Sequence, residues 1–160
     1  MKKWAEQITA EIDAKLAGAK ERDLRFFRLD EFKRNIHRIA EFSESCTECR
    51  HFKTDVEAIS RKIDEAVHVP GPDRRELDRI IGRLSNHMMK AHDFYAPYYY
   101  NYLYSFFGMI AGTVVGYLAM KIFPAASWAA LAAGFTIGLV AGQIIGGNKD
   151  RKIRHNNRLM

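Results

Sequence analysis

The sequence predicts an all-α protein: a cytoplasmic antiparallel helical hairpin plus an N-terminal amphipathic helix, continuous with a two-span transmembrane helical hairpin. Three observations predict it. Residues 94–120 and 122–148 carry no charged side chain, and only Lys121 interrupts them. Residues 29–63 place apolar side chains at spacings of three and four, the period of a helix face. No segment alternates with the period of two that a half-buried strand requires. A chain of 160 residues leaves room for one small domain beside the membrane hairpin.

Residues 1–20 form the N-terminal element, with a helix expected over 3–19. Trp4, Ile8, Ile12 and Leu16 recur every four residues, and Gly18 supplies a stop. This stripe either packs on the rest of the domain or lies in the membrane interface, with Lys2, Lys3 and Trp4 at its start. The opposite face carries Glu6, Glu11 and Asp13, which favours packing.

Residues 21–96 read as the helical hairpin, with its turn at 68–73. Its first limb is a coiled-coil-like seam running from Leu29 through Phe32, Ile36, Ile39 and Phe42 to Ile63. Pro70, Gly71 and Pro72 end that limb. Asp73, with Glu76 three residues on, has the pattern of a capping box opening the next helix. Leu77, Ile80, Ile81, Leu84, Met88 and Ala91 mark the apolar face of that helix. From Asp73 to Ala96 it would be about 36 Å long, so an antiparallel partner reaches the same level near residue 43. A bend is therefore expected near Phe42 to Ser45, with Ser45 and Glu48 as a second capping box. A sharp turn at Pro97 is the alternative.

Residues 97–148 form the membrane hairpin, with spans at about 102–123 and 125–147. Each apolar stretch exceeds the length of about 20 residues that a hydrocarbon core of roughly 30 Å requires. Pro124 between them implies a tight turn. Gly108, Gly112 and Gly116 in the first span and Gly134, Gly138, Gly142 and Gly146 in the second keep a spacing of four. Small residues on one face let two backbones approach closely in lipid, as a glycine zipper does. Gln143 is the one amide within the spans and reads as glue between helices. The glycine spacing over this segment is similar to that of other small two-span membrane proteins, such as the assembly factors beside bacterial ATP synthases.

Residues 149–160 are the tail. Lys149, Arg151, Lys152, Arg154 and Arg158 face only Lys121 in the loop, so the positive-inside rule puts both termini in the cytoplasm. The location is the inner, cytoplasmic membrane if the protein is bacterial. Tyr95, Tyr98, Tyr99, Tyr100, Tyr102 and Tyr104 form an aromatic belt at the near interface, and Trp128 marks the far one. Residues 1–93 hold 19 basic and 18 acidic side chains, so the formal charge of +6 resides mainly in the tail. That distribution suits anionic lipid and gives no basic face for nucleic acid.

One constellation could carry chemistry. Cys46 and Cys49 form a CxxC, and antiparallel pairing about residue 70 brings His92 and His87 to neighbouring levels. The four residues match a closed tetrahedral zinc site, with His51 as a substitute ligand. On a regular helix, however, His87 and His92 point about 140° apart, so the helix must deform or the ion must sit between helices. Core packing explains the same thiols as small hydrophobes, and thiol redox chemistry is a third reading that lacks its βαβ context. A closed site would be structural rather than catalytic. Walker A, GxSxG, HExxH and dinucleotide fingerprints are missing.

The expected function is that of a non-enzymatic integral membrane protein. It would be a structural, accessory or scaffolding subunit, with one structural zinc if the site is filled. It would form a homo-oligomer or join a larger membrane complex. The alternative is an oligomeric channel or metal-responsive conduit gated by the Cys/His hairpin.

Overall fold

The computed structural model describes residues 2–123, 125 and 127–160. Among the described residues eight α-helices follow in order: α1 Lys2–Lys15, α2 Glu21–Phe26, α3 Leu29–Phe42, α4 Thr47–Arg61, α5 Ile63–His68, α6 Pro72–His92, α7 Tyr99–Ile122 and α8 Ser127–His155. No strand occurs among the described residues. The chain divides into two compact units, residues 1–94 with Met160 and residues 95–159.

The first unit is a bundle. Helix α3 contacts α1, α4 and α6, and α4 contacts α6. Phe32, Ile36, Ile39, Cys49, Phe52, Val56, Ile59, Ile63, Leu77, Leu84 and Met88 are all essentially inaccessible to solvent. The seam is thus consumed within one chain. Ala91, expected on the apolar face of α6, is exposed instead. Of the expected stripe, Ile8 and Ile12 on α1 and Leu16 just beyond it are buried, whereas Trp4 is half-buried and Ala5 is buried beside it. Trp4 Nε1 donates to Glu57 Oε1 at 2.7 Å, and Lys15 Nζ donates to the carbonyls of Ser60 and Arg61.

The continuous limb expected over 21–67 is interrupted three times. Arg28 adopts the left-handed conformation between α2 and α3. Lys62 interrupts α4 and α5, although Ile59 and Ile63 on either side both stay buried. The break that reshapes the unit is at Ser43–Cys46, where a bend was expected. Ser43 Oγ turns back to the carbonyl of Ala40 and Ser45 Oγ to that of Phe42, bonds that compete with helix continuation. The hairpin of 21–96 is therefore a bundle in which α3 folds back on α4. Neither capping box forms. Cys46 rather than Ser45 stands at the start of α4, with extended backbone. Pro72 rather than Asp73 opens α6 behind an extended Gly71, and Asp73 Oδ1 accepts from Lys62 Nζ at 3.3 Å.

The second unit is an antiparallel pair. The two helices approach to backbone contact along their glycines. A Cβ placed on Gly134 would stand 2.5 Å from the carbonyl oxygen of Gly112, and one on Gly146 2.5 Å from that of Tyr100. No side chain fits there. Both helices are long and apolar enough to cross a membrane. Helix α7 starts three residues before the expected span, and α8 continues through residues 149–155 of the expected tail. Asp150 accounts for this extension. Its buried carboxylate accepts from the backbone N–H groups of Tyr100 and Asn101 at 3.1 and 2.9 Å, capping the first turn of α7. The tight turn assigned to Pro124 lies outside the described residues.

Gly138→Leu should destabilise the α7–α8 pair by about 1–3 kcal/mol or more, because backbone must move to admit the side chain. Gly147, which has open space around it, should accept alanine with a gain of about 0.5–1 kcal/mol. Unfolding curves followed by circular dichroism distinguish the two variants. Equal effects would overturn the contact assignment.

Candidate metal centre

Four side chains converge where α3 turns into α4 and where α6 ends. Cys46 lies in the extended residue before α4, and Cys49 in its first turn. His87 projects from α6, and His92 is the last residue of that helix. The ligand atoms of all four lie within 4.8 Å of one another, close enough to hold a metal ion. Nε2 of His87 is 3.4 Å from Cys46 Sγ and 3.3 Å from Cys49 Sγ, and Nε2 of His92 is 3.3 Å from Cys49 Sγ.

The angular objection to pairing His87 with His92 is met by the end of α6. Asp93 is left-handed, and its backbone N–H closes on the carbonyl of Met88, five residues back rather than four. Phe94 N–H closes on the same carbonyl at 3.1 Å. A turn widened in this way brings the fifth residue nearer the face of the first. The two imidazole centroids are 5.2 Å apart, edge to face. Phe42 stacks on His92 at 4.0 Å, fixing that ring from the α3 side.

The other nitrogen of His87 is also engaged. Nδ1 lies 3.3 Å from Glu48 Oε2. Metal-ligating histidines commonly hand their second ring N–H to a carboxylate, which fixes the tautomer and raises ligand basicity. Glu48, inside the CxxC itself, thus lies against the His87 ring instead of capping α4 as its spacing suggested. That contact requires the fold-back of α4 on α6, which no local pattern encodes.

Metal binding at this cluster has to displace the proton of Cys49, because the thiolate rather than the thiol is the ligand. Burial, with Cys46 beside it, pushes the Cys49 thiol up to about 12 from an ordinary 9.0. Burial next to His87 lowers the pKa of His92, which keeps that imidazole in the neutral form that binds metal.

The remaining sequence-selected residues fall elsewhere. His51 is exposed and is not among the four. Gln143 is exposed on α8 and makes no bond to α7, so it is not glue within this pair. Tyr95, Tyr99, Tyr100 and Tyr104 form a cluster of ring contacts, whereas Tyr98 and Tyr102 are exposed. Trp128, near the start of α8, is 79% exposed. No known protein family, curated protein or solved structure matches this chain.

Glu48→Gln should weaken metal binding by about 10–100-fold without removing a ligand. Competition against a chromophoric chelator measures this, and unchanged affinity would remove Glu48 from the site. The raised Cys49 pKa gives a second test. In the metal-free chain the unfolded state ionises this thiol near 9.0, while the folded state holds the proton up to about 12. The stability it contributes is therefore complete below 9.0 and declines as pH rises towards 12. Denaturation of the metal-free chain on either side of that lower value should show the decline, and Cys49→Ala should reduce it.

Proposed function

We propose that the protein is a non-enzymatic integral membrane protein in which two glycine-packed spans anchor a zinc-clamped helical bundle. It serves as a structural or accessory subunit of a membrane assembly. The observation that carries the membrane reading is where apolar side chains face. Only 6% of the apolar window of α7 and 11% of that of α8 is buried within the chain. A core helix of a soluble protein would be mostly buried. Among the described residues, all large exposed hydrophobics except Phe26 and Val69 fall between Tyr98 and Ile145. A surface this apolar calls for lipid or protein to cover it. Charge orients the pair, with the basic tail and the bundle on the cytoplasmic side.

Zinc is the ion that best suits the donors. Zinc–sulfur distances near 2.3 Å and zinc–nitrogen distances near 2.0–2.1 Å give sulfur–nitrogen edges of about 3.5 Å in a tetrahedron. The observed separations of 3.3 and 3.4 Å need little adjustment. Two cysteines and two histidines close the coordination sphere. With no open position for substrate, the ion is structural. It ties the start of α4 to the end of α6.

The glycines bear on the channel alternative. Gly108, Gly112 and Gly116 lie against the backbone of α8, so that face is not free to line a pore. The bundle bears likewise on assembly. With its seam buried internally, partners must bind through the outer faces of the bundle or through the spans.

Fractionation and elemental analysis test both halves. The chain should stay with membranes through a high-salt wash and come away only with detergent. About one zinc per chain should accompany it, and Cys46→Ser/Cys49→Ser should lose both the zinc and thermal stability. Recovery without detergent would remove the membrane reading. Metal-free wild-type protein would reduce the cysteines to core packing. A strictly monomeric chain in mild detergent would remove self-association.

A further inference from the structure

We propose that the α7–α8 pair binds one anionic phospholipid, with an acyl chain in a groove beside the glycines and the phosphate at Lys149. This inference rests on the reading of α7 and α8 as membrane spans. The groove has a volume of about 420 Å³ and runs along one side of the pair. Its floor is the glycine contact, where the backbones approach so closely that nothing projects. Its walls include Tyr104, Phe107, Ala111, Ile137, Ala141 and Ile145. Almost every accessible atom inside it is apolar.

The length and the two ends of the groove select the occupant. Its lining on α8 runs from Gly134 to Ile145, which spans about 16 Å along the helix axis. That is about half of a hydrocarbon core roughly 30 Å thick, the depth of one leaflet. One helical turn beyond Ile145, on the same face, stands Lys149. Its ammonium donates to the hydroxyl of Tyr104 at 3.0 Å and lies 4.5 Å from the centroid of the Tyr100 ring. Tyr104 is itself a wall of the groove. Lys149 is therefore a cation positioned at the groove mouth, with its exposed side open to a phosphate. Lys152 follows three residues on and is exposed. The other end, near Gly134 and Val115, carries no charge. An amphiphile with one negative end and an acyl tail one leaflet long matches this arrangement. A second copy of the helix pair would need the apolar groove but not the cation at its end.

The test uses the full chain in detergent with equimolar dioleoyl phosphatidylglycerol and dioleoyl phosphatidylcholine, and reads retained lipid by native mass spectrometry. The wild type should retain one phosphatidylglycerol in preference to phosphatidylcholine by about fivefold or more, the discrimination expected of one interfacial lysine. Lys149→Gln should abolish the preference, Lys149→Arg should keep it, and Lys121→Gln at the other end of α7 should leave it unchanged. Ala141→Phe, which fills the groove, should lose both lipids at unchanged helix content. Equal retention of the two lipids, or a Lys149→Gln chain that still prefers phosphatidylglycerol, would overturn the proposal. So would an Ala141→Phe variant that keeps its lipid but changes oligomeric state, which would place a second copy in the groove. A chain recovered without detergent would fail at the membrane reading first and take this inference with it. A membrane-retained chain without lipid preference would fail here alone.

Discussion

An apolar seam must find a partner of its own length, and this chain has none long enough. From Leu29 to Ile63 a single helix would extend about 51 Å, whereas α6, at 21 residues, covers about 31 Å. The helix has to break, and it does so at Ser43–Cys46, where two serine side chains bond back to the preceding turn. Everything distinctive in the first unit follows from that break. Helix α3 folds onto α4 and α6, and the seam disappears into a bundle. The break also leaves Cys46 in extended backbone beside the first turn of α4, opposite the widened last turn of α6. The four ligand atoms meet there because a helix start and a helix end meet there. An ion at that point would tie the start of α4 to the end of α6.

The two units are held by different physics. In the first, side chains are buried against one another, and the contribution of each scales with the apolar area removed from water. In the second, most large apolar side chains point outward, and the helices touch through their backbones. Close approach, dispersion between main-chain atoms and the carboxylate of Asp150 hold that pair. Substitutions should therefore behave oppositely in the two units. Loss of volume costs most in the bundle, whereas gain of volume costs most along the glycines.

Much of this architecture was legible in the sequence. The uncharged stretches reflect a required length, the glycine spacing of four and the apolar seam a fixed period, and all of them are found on helices. The convergence of Cys46, Cys49, His87 and His92 followed from counting residues either side of the turn near residue 70. Three misassignments share one cause. Ser45, Glu48 and Asp73 were assigned to caps because cap patterns are local, but each side chain is taken up elsewhere: by the carbonyl of Phe42, by His87 and by Lys62. The widened last turn of α6 was equally invisible, since it depends on Asp93 in a left-handed conformation that glycine or asparagine would have advertised better. Asp150 was hidden as the lone acid in a basic tail.

Asp150 also imposes an order on assembly. It caps a helix that begins some fifty residues earlier in the chain, so the first turn of α7 cannot be completed locally. During synthesis at about 5–20 residues per second, the amides of Tyr100 and Asn101 wait several seconds for their acceptor. Until α8 has been made and has come back alongside, the aromatic end of α7 is a frayed terminus whose exposed N–H groups must be met by water. Completion of α7 is thus coupled to the arrival of α8, and the pair matures as one cooperative element rather than as two helices that form and then dock.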